Sequence, residues 1–461
     1  MIDRRRFMQT LVATTAVPAG MLGRIGFTDE HGFGRLMADP DGLLDLPSGF
    51  SYSIVARHGE EMDDGLLIPG FPDGMAVFDG GDGTVKIICN HEISPIRQSY
   101  SAFGEKSERL TPLQAEKLYD PGKGTTPGAG GTTTIHYDPG TRERLGVHLS
   151  LAGTEINCAG GATPWRSWLS CEESFTKPGT VFESESIAHR EKKHGYIFEV
   201  PVDHEGLVEP VPLTAMGRFE HEAALVDSRT GIVYLTEDRH SSLFYRFIPE
   251  VSGQLQEGGR LQALRVIDKP AFDTRNWEDI RLEPGDRLQV DWVDLEEPDV
   301  ETNDLRLRGR QKGAAIFARG EGLCRAGNDI AFTATIGGRE HLGQIFVYRP
   351  SPAEGTDGER LAHGQLVLIA ESSSQSVVRN ADNLTLSPWG DLVVCEDREG
   401  KGKCGMVGVR YDGSQYRIAG NAYGDAELAG VCFSPDGSTM FVNVQQAHVT
   451  LAITGPWPTS A

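Results

Sequence analysis

The chain has 461 residues, with 44 Lys and Arg against 66 Asp and Glu and a formal net charge of −22 at pH 7. That charge excludes nucleic-acid binding, which needs a basic face; it suits a cation-loaded site, or plain solubility. With 56 Gly, about 12% against an average of about 7%, and 25 Pro, the composition predicts many turns and little helix. The seven cysteines form no close-paired framework, so the chain is not a disulfide scaffold.

In chain order, Arg4-Arg5-Arg6-Phe7-Met8-Gln9 fits a twin-arginine export signal, followed by an apolar run from Thr10 to Leu22 that is too short for a bilayer span. Residues 1–22 are therefore expected to engage the twin-arginine translocase. The remainder, 23–461, is expected to be one domain, periplasmic or secreted, without a stable membrane anchor. Residues 23–45 read as a tail or first strand. Thr111 to Leu118 predicts a short helix with Thr111 as its N-cap, and the Gly/Thr-rich run Gly122 to Thr134 reads as a loop. Residues 174–199 and 249–312 read as polar insertions, the second containing an acidic run from Asp294 to Asp304 that is expected to be solvated.

The stretch Gly153 to Glu173 organises the rest. Two short apolar runs flank a turn built on Gly160, Gly161 and Pro164, and the second run ends in Cys171-Glu172-Glu173. Adjacent carboxylates repel unless something positive sits among them, and a multivalent cation is the simplest candidate. The pattern recurs. Lys86–Cys89 leads into Asn90-His91-Glu92, Val233–Thr236 into Glu237-Asp238-Arg239, and Leu392–Cys395 into Glu396-Asp397-Arg398. Phe332–Thr335 and Met440–Gln445 are weaker copies. Upstream of each lies a polar signal: Asp73-Gly74-Met75, Glu155-Ile156-Asn157, Glu220-His221-Glu222, Arg319-Gly320-Glu321, Asp382-Asn383 and Glu427–Gly430. Irregularly spaced hairpins of this kind predict an all-β fold, a six-bladed β-propeller with loop and short-helix insertions. Inner strands of a propeller end at one mouth, so these residues would build one acidic, metal-binding funnel.

The residue types suit that chemistry. Carboxylates are donors for calcium, which takes about 6–8 oxygens; a thiolate suits a softer metal. Bound cations would reverse the sign of an acidic funnel and let it attract an anionic ester. Ser170 lacks a Gly-x-Ser-x-Gly context, and there is no phosphate-binding Gly-Lys-Ser/Thr loop or dinucleotide fingerprint.

Several motifs are together similar to the PhoX-type alkaline phosphatases. These are Asn90-His91-Glu92, Ala159–Trp165, Leu169–Glu173, Gly217–Glu222, Glu237-Asp238, Phe317–Gly322, Asp382–Leu384, Cys395–Asp397, Phe433–Gly437, Phe441–Gln445 and Ala452–Trp457. The resemblance implies an exported phosphomonoesterase acting on small phosphate esters, with ferric iron, two ions, and several calcium ions as cofactors. It implies Cys171 as the iron ligand, with carboxylate ligands from Glu172 or Glu173, Glu222, Glu237 or Asp238, Glu321, Glu396 and Asp397, and Glu92 as a further calcium ligand. Arg319 would face the substrate phosphate and Asn157 would be a second phosphate contact. Strand neighbours point to opposite faces, so the sequence does not say which member of each acidic pair points inward. Two other readings stay open: a calcium-dependent, lactonase-like propeller hydrolase, and an exported binding propeller without catalysis.

Overall fold

The computed structural model describes residues 32–183, 187–398 and 402–458; the twin-arginine segment lies outside them. The described chain is all-β and propeller-like, with few and short helices. Its larger sheets are antiparallel. One pairs Pro72–Gly81, Thr84–His91, Gly130–Asp138 and Glu143–Thr154; a three-stranded one pairs Asn157–Ala162, Ser167–Glu172 and Ile197–Pro201. A nine-stranded sheet runs from His221–Val226 to Gly320–Ala326, and Arg287–Leu295 bridges its two halves by pairing with Gly259–Val266 on one side and Gly364–Glu371 on the other. A further sheet begins at Ala381–Leu386 and ends in the N-terminal strands Leu44–Pro47 and Leu36–Met37.

The remaining sheet, Leu428–Phe433, Thr439–Val444 and Val449–Thr454, is completed by Ser51–Arg57 from near the start of the chain. This pairing ties the first part of the described chain to the last. It also covers what would otherwise be an open strand edge.

The innermost strand of every hairpin lies against the next: Pro72–Gly81, Asn157–Ala162, His221–Val226, Gly320–Ala326, Ala381–Leu386, Leu428–Phe433, and back to the first. They enclose a channel of about 380 Å³ whose wall includes many glycines and alanines, among them Gly74, Ala159, Gly161, Ala223 and Gly322. Such small side chains let the strands crowd the axis. Outside the ring the sheets pack through apolar clusters, such as Phe244, Phe317, Phe332 and Phe346. Phe244 and Phe332 stack with centroids 4.4 Å apart.

Some local expectations change. The short helix is Pro112–Ala115, held by a capping box between Thr111 and Gln114. Only the first half of the Gly/Thr run is loop. Thr132, Thr133 and Thr134 are in the strand Gly130–Asp138, where β-branched side chains fit the pleat. The region 249–312 is not an unstructured insertion: it supplies two strands and the helix Leu305–Gln311. In the acidic run, Asp299 accepts from Tyr196 Oη at 2.7 Å, and the Val300 carbonyl accepts from the buried Arg218. All seven cysteines are free thiols.

Candidate metal centre

Each inner strand slips register with its neighbour at the same height. The slips lie between Pro72 and Met75, Asn157 and Gly160, His221 and Ala224, Gly320 and Leu323, Ala381 and Leu384, and Ala429 and Cys432. A bulge of this kind sets extra residues against the partner strand and re-aims a side chain. The first residues inside the slips are Asp73, Cys158, Glu222, Glu321, Asp382 and Gly430. Four of these strands are also approached through a left-handed residue two positions ahead of the slip: Phe71 (φ 47°), Ile156 (φ 49°), Arg319 (φ 53°) and Asn380 (φ 50°). Side chains other than glycine adopt this conformation at a cost and often at functional sites. At the sixth position only glycine fits, because a Cβ on Gly430 would stand 2.2 Å from the Asp73 carbonyl oxygen.

A second tier comes from the ends of the partner strands. The residues opposite the slips are His91, Glu172, Glu237, Ala334 and Glu396. One residue further along stand Glu92, Glu173, Asp238, Thr335 and Asp397. Glu92, Glu173, Asp238 and Asp397 face the first tier, and Glu427 joins them beside Asp382 and Asp397.

Donor atoms of Cys158, Glu173 and Glu222 lie within 4.8 Å of one another, as do those of Glu222, Glu321 and Asp382, so Glu222 is common to both groups. Burial, and then mutual repulsion, pushes these acids toward the protonated form. Asp73 is pushed up to about 8 by burial and then Glu92. Asp382 is pushed up to about 8 by burial and then Asp397, and Glu92 to about 7 by burial and other carboxylates. Glu173, Glu222, Glu321 and Glu427 are raised well above the carboxylate range for the same reasons. The Cys158 thiol is raised by burial and then by Glu222 and Glu173.

Arg319 supplies positive charge within this cluster. Its Nε donates to Asp238 Oδ1 at 2.8 Å and its Nη2 to Asp238 Oδ2 at 2.9 Å, and Nη2 lies 3.0 Å from Glu321 Oε1. Burial works against its charge, but Glu321 and Asp238 outweigh that and raise its pKa. Arg97, stacked on the Phe71 ring at 4.3 Å, adds a favourable field at Glu92. The facing carboxylates outnumber these guanidiniums. A set of buried oxygen donors with excess negative charge, plus one thiol, fits multivalent cations.

The acidic pairs resolve at the strand ends: the first member is the last residue of its strand and turns away, and the second, just past it, faces the mouth. Glu172 turns away, accepting from His194 Nδ1 at 2.7 Å and from the Glu155, Gly195 and Tyr196 amides. Glu237 turns back to accept from Tyr245 Oη at 2.7 Å. Glu396 is saturated by Arg398, Arg417 and the Arg379 amide.

Two other expectations are corrected. Cys171 is not beside the acids. Its side chain is in the apolar cluster with Leu169, Ile197 and Phe219, and burial alone raises its thiol. Asn157 does not face the mouth either: its Oδ1 accepts from Thr154 Oγ1 at 2.7 Å and its Nδ2 donates to Ser170 Oγ at 2.9 Å.

The residues the sequence reading passed over are Asp73, Cys158, Asp382 and Glu427. Asp73, Asp382 and Glu427 lay inside recognised polar signals, and Cys158 one residue past another. The missing signal was positional: Asp73, Cys158 and Asp382 each stand at the slip of an inner strand, two residues after its left-handed entry residue.

The sequence matches the family profile described as alkaline phosphatase PhoX over residues 31–448. Among solved structures, the chain is similar to Pseudomonas fluorescens PhoX, determined in complex with vanadate, described as a transition state analogue. Identity is 18% and the TM-score 0.68, covering 93% of this chain and 98% of that one. A gluconolactonase from Xanthomonas campestris is more remote, at 12% identity and a TM-score of 0.42, covering 91% and 98%. No curated protein sequence matches. With the family profile spanning most of its length, the chain belongs to the alkaline phosphatase PhoX family.

Proposed function

We propose that this chain releases phosphate from small organic phosphate esters at a mixed iron and calcium cluster held in the mouth. Arg319 carries the reading: a guanidinium, its side chain 16% exposed, set among carboxylates by Asp238 and Glu321. A site that only stored cations would gain nothing from a competing positive charge, whereas a phosphate monoester uses it through paired N–H···O bonds. Asp238 fixes the plane of the guanidinium. Cys158, Glu173 and Glu222 would hold the softer metal; Asp73, Glu92, Glu321, Asp382, Asp397 and Glu427 would complete the oxygen-rich sites. Bound cations would supply charge neutralisation and polarisation of the phosphoryl group.

The proposal extends to architecture and address. The nine-stranded sheet counts as two blades joined by Arg287–Leu295, which makes six. Residues 23–461 then form one propeller domain. The twin-arginine motif supports export through that translocase. Among the described residues no helix is long and apolar enough to cross a membrane.

Hydrolysis of p-nitrophenyl phosphate, with elemental analysis of the same chelator-free sample, tests the reading. Phosphate release with bound iron and calcium is expected. Calcium without iron, with lactone rather than phosphomonoester turnover, would favour the lactonase-like alternative, and cations without turnover a binding propeller.

A further inference from the structure

Two sectors of the mouth lack a second-tier acid: the one ending at Asn443 and Val444, and the one that follows Asp329–Ala334. Where neighbouring strands place Glu92, Glu173, Asp238 and Asp397, the strand Asp329–Ala334 is followed by the uncharged Thr335, whose Oγ1 donates to the Ala381 carbonyl at 2.7 Å. The same sector carries Arg319, whose carbonyl accepts from the Thr335 amide at 2.9 Å. This sector thus sets a guanidinium 3.0 Å from its inner-strand acid, Glu321, which favours the approach of an anionic ester.

Beyond Arg319 that sector is lined by rings. The Trp277 indole donates to the Ile336 carbonyl at 2.9 Å, and the Ile336 amide donates to the Ala318 carbonyl. The His341 ring lies 5.0 Å from Trp277 and the His240 ring 6.4 Å from it; both histidines are exposed, and Trp277 is partly so. Arg275 backs the group, with its guanidinium 4.2 Å from the indole and hydrogen bonds to Ser241 Oγ and the His240 carbonyl. His240 follows Asp238 by two residues, and the His341 carbonyl accepts from Asn380, two residues before Asp382. The rings thus stand on the rim between Arg319 and Asp382. The indole is anchored by the Ile336 carbonyl and Arg275, while both imidazoles remain exposed to solvent. A planar π-system lying against them would gain stacking and contact with a delocalised cation.

Resting on the phosphatase reading, we infer that Trp277, His240 and His341 form a leaving-group subsite that selects phosphomonoesters of flat aromatic groups, nucleoside monophosphates or aryl phosphates, over alkyl phosphates. With the phosphoryl group at Arg319, the ring of the leaving group would lie along this wall.

The test measures kcat/KM for AMP, p-nitrophenyl phosphate and glycerol phosphate with metal-loaded wild type, Trp277→Ala, and the double variant His240→Ala/His341→Ala, whose sites are exposed and independent of the core. Removing a stacking partner typically weakens a base contact by about tenfold or more. The ratio of AMP to glycerol phosphate kcat/KM is expected to fall about tenfold in Trp277→Ala, and in the same direction in the double variant. The p-nitrophenyl phosphate ratio separates a general aromatic preference, in which it falls as well, from a nucleoside-specific one, in which it does not. Ratios within twofold of wild type in both variants overturn the subsite while leaving the phosphatase intact. Wild type that turns over none of the three overturns the phosphatase reading and the subsite with it.

Discussion

Two buried acidic clusters lie close together in this protein and are built in opposite ways. In the first, Asp120, Glu155 and Glu172 surround His194 and Arg190, all without solvent exposure. His194 Nε2 is 3.2 Å from Asp120 and Nδ1 2.7 Å from Glu172, and Arg190 Nε is 2.9 Å from Glu155. Burial pulls the His194 pKa down, but Glu172 and Glu155 more than offset it and raise it to about 10. The second cluster, one residue away at Glu173, has many carboxylates and little to balance them. The contrast separates roles that sequence composition cannot: a cluster closed by its own cations holds the fold, and one left in deficit recruits cations from outside.

Stripping the metals breaks the comparison hardest. Chelation is expected to abolish phosphatase activity. The stripped protein should also lose stability as pH rises. Burial and the neighbouring carboxylates push Asp73 and Asp382 up to about 8 in the folded state, against about 4 when unfolded. The folded state therefore holds the extra protons between those values, and its stability falls across that window. Melting temperatures at pH 5 and pH 8, with and without calcium, check this; added calcium should recover most of the loss at pH 8.

Next in size is Arg319→Ala, expected to lower kcat/KM for a phosphomonoester by about a hundredfold, in the range seen when one donor to a developing oxyanion is removed. Metal content should stay near wild type, since Arg319 opposes cations rather than holding them. Cys158→Ser should reduce bound iron sharply, while Cys171→Ser should leave it near wild type; elemental analysis of both sharpens the boundary between mouth and core. His194→Ala leaves buried carboxylates without their partner and should destabilise the fold by about 3–5 kcal/mol, measured by denaturant unfolding at neutral pH. In wild type the His194 contribution is complete below about 6.5 and lost as pH rises through about 10. Unlike the loss at the mouth, calcium should not restore it.

Much of this architecture was legible in the chain. Apolar runs ending in acidic pairs marked the second strand of three hairpins, with weaker copies at the others, and the polar signals upstream marked the first. The convergence of Glu92, Glu173, Glu222, Asp238, Glu321 and Asp397 beside Arg319 follows from hairpins arranged around one axis. The error at Cys171 is instructive. A thiol directly before two glutamates looks like part of their site, and in an extended strand residues two apart share a face, which would set Cys171 beside Glu173. Cys171 and Glu173 share a strand parity, but the strand ends at Glu172 and Glu173 lies past it, so the parity no longer places Cys171. Cys158 stood just past the polar signal Glu155-Ile156-Asn157 and reached the mouth through a register slip that local patterning does not record.

The sequence alone determined that the chain would be short strands and turns with acidic strand ends, because hydrophobic alternation, glycine and proline act over a few residues. Which acid of each pair faces the mouth, which cysteine joins them, and which cluster is neutralised from within were decided only by the tertiary structure. Those outcomes depend on slips in strand pairing and on partners such as His194, Arg190 and Arg417, far from the acids in the chain but within hydrogen-bonding distance in the fold.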